Sequence, residues 1–347
     1  MPRSKTPLAL LLAATALAAA ACSSGASAAA TGTSATATTV PTSIPAGTTL
    51  RVADQLDVLE TPLAISGENK GFAYKVSYST FVGGPTMLEA FQAGAVDLGW
   101  VAGTPAIFAQ AAHQGVVVVA SYATAKSTYS LVDGPGEHIT SWAALKGKSV
   151  AYQEGTVEES VLLQGLQSAG LTLKDITSVN LSTTSLVPAL EAGKVDTAIL
   201  VQPLTGVYLA KYPQAAQVPI GDNITDRDAF LVASTSALAD SAKEAAIADY
   251  ISRFVKAVAW ENAHPAATAT ASYVDEYKLT LAEGEAILSD AGATTFYDLP
   301  GPFLKPQQNL ANLYAQAGVI PAQEDVSAEF SSLYNATVNA AKKAASS

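Results

Sequence analysis

The 347-residue chain contains one cysteine, three histidines and four arginines, and each shortage removes a class of function. A lone thiol, Cys22, forms no intramolecular disulfide and leaves no cysteine cluster to hold a metal. The histidines His113, His138 and His264 are isolated, and the sequence has no HxxxH, GxSxG or GxxxxGK[ST] run. It therefore lacks a helical metal pair, a nucleophile elbow and a phosphate loop, so neither a metal nor a cofactor is expected. Lys and Arg number 19 against 30 Asp and Glu, a formal net charge of −11. Nucleic acid needs a basic patch, and an acidic chain with scattered lysines excludes it as a partner.

The N-terminus carries an export pattern. Arg3 and Lys5 precede an apolar run from Pro7 through Ala21, which is too short and Ala-rich for a membrane span. Residues 1–21 are read as a signal peptide, and their removal leaves a net charge of −13. Cys22 follows Ala19-Ala20-Ala21 and resembles a bacterial lipobox, in which the cysteine is acylated and becomes the mature N-terminus; Ala19 stands where leucine is commoner. An ordinary signal cleaved nearby is the alternative. Residues 22–48 are Ala, Ser, Thr, Gly and Pro without charge, a composition that buries no core and acts as a flexible tether.

The body is organised around a unit that occurs twice. Phe81 to Gln110 reads as turn, helix, short buried strand and second helix, and Thr184 to Ala210 repeats it about 99 residues on. Ala90, Gln92, Ala93, Gly94, Val96 and Asp97 fall on Ala189, Glu191, Ala192, Gly193, Val195 and Asp196. Gly94 and Gly193 can end a helix in the left-handed conformation, Val-Asp turns the chain into a strand, and Pro105 or Pro203 starts the next helix. A single copy would read as a helix stop before a core strand. Two copies suit two similar lobes, whose strand ends and helix N-termini would line a cleft and offer N–H groups to an anion.

Strands are expected at Thr49-Leu-Arg-Val-Ala53, Tyr74–Ser79, the Val116–Ala120 run, Ser149–Tyr152, Asp175–Leu181 and Phe230–Ala233, with the apolar Val116–Ala120 run read as parallel and covered on both faces. Helices are expected at Val157–Ala169, Ser241–His264, Ala266–Tyr277, Leu281–Ala291, Lys305–Ala317 and Ser327–Ala344. The boundaries read from this order are 49–126 plus 228–347 for lobe 1 and 127–227 for lobe 2. Two adjacent crossings between them would form a hinge.

In this order, Gly84-Pro85 with Leu88-Glu89-Ala90, Ala93–Gly99, Thr104–Ala112, Leu145–Ala151, Ala192–Asp196, Phe230–Ser234, Trp260–Pro265 and Gln307-Gln308 resemble the solute-binding lipoproteins of ABC importers, specifically the aliphatic sulfonate, taurine and nitrate branch. The resemblance covers nearly the whole mature chain. It implies an α/β fold of the two-lobed periplasmic-binding-protein type (type II flytrap), with two crossover strands at the hinge. It further implies a small anionic or zwitterionic ligand, an ABC permease as partner, a lipid anchor through Cys22 on the extracytoplasmic face of the cell membrane, and a monomer.

The ligand-binding set it implies is Asp54, Gln55, Gly84, Pro85, Thr86, Thr104, Ser127, Glu154, Gly155, Thr156, Thr183, Gln202 and Phe230, with no catalytic residue. Asp54 and Glu154 stand where relatives carry an aromatic and an Asn or Lys, and Gln202-Pro203 lacks a preceding aromatic. Two carboxylates at a sulfonate mouth would repel the ligand, so either they face solvent or the ligand also carries a cation. Trp100, Phe108, Tyr122, Phe230, Phe296 and Tyr297 could line a slot for its tail. A ligand-sensing lipoprotein for a membrane receptor shares every feature, and pyrimidine-synthesis enzymes share the fold, although no motif for their pyridoxal phosphate chemistry is present.

Expressed with its signal in a bacterial host, the protein is expected to partition into detergent, and Cys22→Ser to release it or block processing. Equal partitioning of the two forms would remove the anchor.

Overall fold

The computed structural model describes residues 39–218, 220–221, 224 and 227–346. The expected signal, Cys22 and most of the tether lie outside them.

The strands are β1 (Thr49–Asp54), β2 (Lys75–Thr80), β3 (Leu98–Ala102), β4 (Val116–Ala123), β5 (Tyr129–Asp133), β6 (Ser149–Tyr152), β7 (Thr177–Asn180), β8 (Thr197–Val201), β9 (Gln217–Val218), β10 (Asp228–Ser234) and β11 (Thr295–Tyr297). They form two sheets, ordered β11-β4-β10-β3-β1-β2 and β7-β6-β8-β5-β9. Both sheets repeat one plan. A central strand pairs in parallel with its two neighbours, β1 with β2 and β3, and β6 with β7 and β8. An antiparallel strand, β10 or β5, then closes the far side of β3 or β8. The chain passes between the sheets after β4 and again before β10.

The repeated unit has the same local chemistry in both places. Gly94 and Gly193 have φ of 64° and 60°. Beyond each, the N–H of Ala95 or Lys194 reaches back to the carbonyl of Ala90 at 2.9 Å or Ala189 at 3.0 Å. This bond, from the third residue past the helix to the helix's third-last residue, is the Schellman closure that a left-handed residue allows.

The two aspartates fasten the sheets. Asp97 is 1% exposed, and its carboxylate accepts the backbone N–H of Arg51 at 3.0 Å, the Arg51 guanidinium at 2.6 and 3.0 Å, and the Lys243 ammonium at 2.8 Å. Asp196 accepts the backbone N–H of Ser149 at 2.7 Å and its hydroxyl at 2.8 Å. Each therefore pins the beginning of β3 or β8 to the beginning of β1 or β6. The strands' C-terminal ends are left at the opposite side.

The core of the first sheet lies against the long helix Ser241–Ala263, through Tyr250, Ile251 and Phe254, and against Tyr334 and Val338 near the C-terminus. Asp240 starts that helix by accepting N–H groups from Ala242 and Lys243. The second sheet is covered on one face by helix Val157–Ser168 through Val161 and Leu162, and on the other by Leu186, Leu190 and Tyr208.

Several expectations needed correction. The Val116–Ala120 run is the buried strand expected, but its sheet neighbours β10 and β11 are both antiparallel to it. An apolar run reports burial on both faces and says nothing of strand direction. The helix expected at Ser327–Ala344 consists of two short 3₁₀ turns, Val326–Glu329 and Ser332–Tyr334, followed by helix Asn335–Ala345. Asp325 and Ser331 each break the run by capping a turn with the side chain. Helix Pro265–Ala269 widens into a π segment at Thr270–Asp275. Helix Glu60–Ser66 and strands β9 and β11 were not expected from the sequence.

Burial alone would raise the Asp97 carboxyl, but the hydrogen bonds from Arg51 and Lys243 outweigh it and hold it below the usual carboxylate range. Its contribution is thus present above the unfolded-state value of about 4 and is lost as pH falls through the lower folded value. Asp97→Asn is expected to lower stability by about 2–3 kcal/mol at neutral pH and by less in acid. Asp196→Asn, which loses bonds to neutral donors only, should cost about 1 kcal/mol. Denaturant unfolding at several pH values checks both, and an equal loss at pH 3 and pH 7 for Asp97→Asn would contradict the assignment.

Candidate functional site

With the strand beginnings pinned, the C-terminal ends of β3 and β8 meet across one cleft, and its two halves differ. One half is sealed by glycine backbone lying against side chains across the cleft. Gly83 has φ +82°, and a Cβ there would lie 2.6 Å from Gln153 Nε2; Gly155 has φ +73°, and its Cβ would lie 3.0 Å from Pro85 Cγ. Both positions combine a left-handed backbone with an opposing surface too close for a side chain.

Behind this seam is a buried polar cluster. Gln153 Oε1 accepts the Thr183 N–H at 2.8 Å and hydroxyl at 3.0 Å. The Thr183 hydroxyl also lies 2.8 Å from Glu158 Oε1, and the Thr156 hydroxyl bonds Gln153 O at 2.7 Å and the Glu158 carboxyl. Glu158 and Glu159 are each 3% exposed. Burial raises both carboxyls, Glu159 to about 7, against the opposing bond from the Gly155 N–H at 2.9 Å. From the first sheet's side, the Tyr314 hydroxyl meets Thr104 Oγ1 at 3.3 Å.

The other half of the cleft opens into a cavity of about 670 Å³. Trp100 and Ala102 of β3, Tyr122 at the end of β4, and Asp228 at the start of β10 line it from the first sheet. Val201 at the end of β8, Gln202 and Pro203 after it, and Thr128 and Tyr129 at the first crossing of the chain line it from the other sheet. Glu261 of the long helix, Tyr273 of the π segment, and Glu276, Tyr277 and Glu285 close it from the C-terminal part. Arg227 also lines it and donates to Ala125 O, which ties the two chain crossings together.

Of the residues singled out in the sequence, Gln202, Trp100 and Tyr122 line this cavity. Gln202 Oε1 also accepts the Gly206 N–H at 3.1 Å, starting helix Leu204–Lys211. Gly84, Pro85, Gly155, Thr156, Thr183 and Thr104 are brought together instead at the sealed half, with Gly84 packed on Pro105. The hydroxyls of Thr104, Thr156 and Thr183 are engaged inside the protein there. Thr86 is exposed, and its hydroxyl returns to the Gly83 carbonyl at 3.0 Å. Ser127 accepts the Tyr129 N–H at 3.0 Å at the crossing, and Gln55 Nε2 reaches Trp100 O at 3.3 Å.

Three assignments change. Asp54 is 1% exposed and accepts N–H groups from Gln55, Leu59 and Glu60 at 2.8–3.1 Å. It holds the loop into helix Glu60–Ser66, and burial, only partly offset by those bonds, lifts it to about 6. Glu154 is exposed and pairs with the Asn180 amide, which donates to it at 2.9 Å. Phe230 is fully buried against Phe303 and Phe330 in edge-to-face contact. Every residue of β10 is buried, and the Phe230 ring is taken up by these two aromatic contacts, away from the cavity. Phe108 packs on Tyr314, and Phe296 on Tyr122 and Phe254.

Glu261, Tyr273 and Tyr277 are among the lining residues that sequence reasoning missed. Glu261 stood in the Trp260–Pro265 run, but nothing in its helical spacing showed that this face turns toward the cleft. The widened π turn, which also brings Ala271 and Ser272 to the cavity, carries no signature in composition.

The model of the NMT1/THI5 like family matches residues 78–265, more than half of the chain. Over 122 residues the chain is 36% identical to the putative aliphatic sulfonates-binding protein of Escherichia coli K12, a match that covers 35% of this chain and 38% of that protein. A putative binding protein of Brucella abortus is 27% identical over 133 residues, 38% of this chain and 40% of its own length, so the chain matches well under half of these curated relatives. Among solved structures, the alkanesulfonate-binding protein SsuA of Xanthomonas axonopodis pv. citri bound to MOPS superposes with a TM-score of 0.74 at 23% identity, over 83% of this chain and 99% of that one. The periplasmic aliphatic sulphonate binding protein SsuA of Escherichia coli gives 0.69 at 25% identity, over 82% and 92%. With two repeated sheets joined by paired crossings, a cleft between them, and these matches, the chain has the two-lobed periplasmic-binding-protein fold and belongs to the NMT1/THI5-like family.

Proposed function

We propose that this chain is the extracytoplasmic solute-binding component of an ABC importer, tethered through an acylated Cys22 and acting as a monomer without catalysis. The observation that carries the reading is the cleft: a large cavity at the meeting of two similar sheets, beside a seam that can part without breaking a strand. The lobes divide at 126/127 and 227/228, where the two crossings run side by side, and closure about them would enclose a small solute. The relatives described as sulfonate-binding support a sulfonate-like anion or zwitterion as that solute. Gln202 offers an amide and Arg227 a guanidinium with donors beyond the one spent on Ala125 O; the latter is the only cation among the described residues lining the cavity.

A screen of sulfonates, aminosulfonates, sulfate esters and nitrate by thermal unfolding tests the reading, because a solute that binds only the folded chain stabilises it by RT ln(1 + [L]/Kd), about 2.7 kcal/mol at a hundredfold excess over Kd. A rise of several degrees for one solute class is expected; no shift with any would overturn it. The seam gives a second test. Gly155→Ala would force a side chain onto Pro85 from a left-handed backbone, so scattering should show a larger radius of gyration and the bound solute should be held several-fold more weakly. Unchanged scattering and affinity would mean that the seam does not govern closure.

A further inference from the structure

The charges around the cavity run opposite to what a plain sulfonate requires. Asp57, Asp228, Glu261, Glu276 and Glu285 line it, against Arg227 as the one cation among the described residues there. Glu276 and Glu285 are exposed at the rim, where water screens them. Glu261 is different. It projects from the long helix in the half-buried part, and its carboxylate makes no hydrogen bond or ion pair among the described residues. Tyr122 and Tyr273 stand close enough for its charge to act on both phenols, and Trp100 lines the same space.

An unpaired carboxylate in such a place is costly unless a guest completes it. Burial alone lifts Glu261 to about 8, the mark of an acid with no compensating donor. A cationic nitrogen would favour loss of the Glu261 proton, pair with the carboxylate so formed, and be attracted to the aromatic faces as well. A simple alkanesulfonate brings no cation to stabilise the ionised acid and gains no such pairing.

We infer that the cavity selects solutes bearing a cationic nitrogen, recognised by Glu261 with Tyr122 and Tyr273 beside it. This rests on the solute-binding reading above and narrows its ligand class. Glu261 is then the specificity-determining residue, in the role that the sequence had suggested for Asp54 and Glu154.

Calorimetric titration of the processed chain with propanesulfonate, 3-aminopropanesulfonate and choline tests it, with wild type beside Glu261→Gln. The amine-bearing sulfonate should bind at least tenfold more tightly than propanesulfonate. Glu261→Gln, which keeps the side chain's shape, should weaken it by about tenfold to a hundredfold while leaving propanesulfonate unchanged or stronger. Tyr273→Leu should weaken both amine probes several-fold, and melting curves of both variants check that the fold is kept. Equal losses for the probes with and without a cationic nitrogen, or propanesulfonate as the best ligand of the wild type, would overturn the inference and leave the solute-binding reading standing. Choline bound without either sulfonate would support the inference and remove sulfonate from the reading. Binding of none of the three would overturn the inference.

Discussion

Two carboxylates at equivalent places in a repeated unit, one buried and one half-buried, determine which ends of the strands are free. Asp97 and Asp196 each tie the start of a strand to the start of its parallel neighbour, one through an arginine and a lysine, the other through a serine. Because the neighbours run parallel, fastening their beginnings aligns their ends. The loops that leave those ends, at Leu56, Gly103, Gln153 and Gln202, therefore gather on the same side of each sheet, and a cleft is the consequence.

The cleft divides its work between close packing and open space. At the sealed half, glycines at left-handed positions let backbone approach side chain across the lobes, while threonine hydroxyls and the Gln153 amide satisfy one another and the buried Glu158. Parting a contact made of such groups exposes polar atoms that water can satisfy. At the open half, the lining is aromatic and acidic, and the Glu261 carboxyl makes no hydrogen bond or ion pair among the described residues. A surface built to close on itself and a surface left unsatisfied thus sit side by side. The second is where a guest has something to contribute.

Much of the architecture was legible in the chain. Helix ends at Gly94 and Gly193, the Val-Asp turns, the apolar strands and the long amphipathic helix follow from local rules: a left-handed residue, a capping carboxylate and a periodicity. The duplication was visible because both copies need the same fasteners. The direction of β4 was not, because burial on two faces is common to parallel and antiparallel neighbours.

The cavity's chemistry was decided in three dimensions. Asp54 sits at a strand end, as the sequence placed it, yet the N–H of the next residue and two more at the start of the following helix claim its carboxylate before any ligand can. Glu261 lies far along the chain, on a helix whose other faces fill the first sheet's core, and only the folding of the C-terminal segment back over the cleft turns it inward. The sequence alone determined that two similar lobes would face each other with little arginine between them, because composition and repetition survive unfolding. Which acids remain unpaired in the space between was settled by tertiary packing, because a carboxylate's availability depends on which donors reach it first.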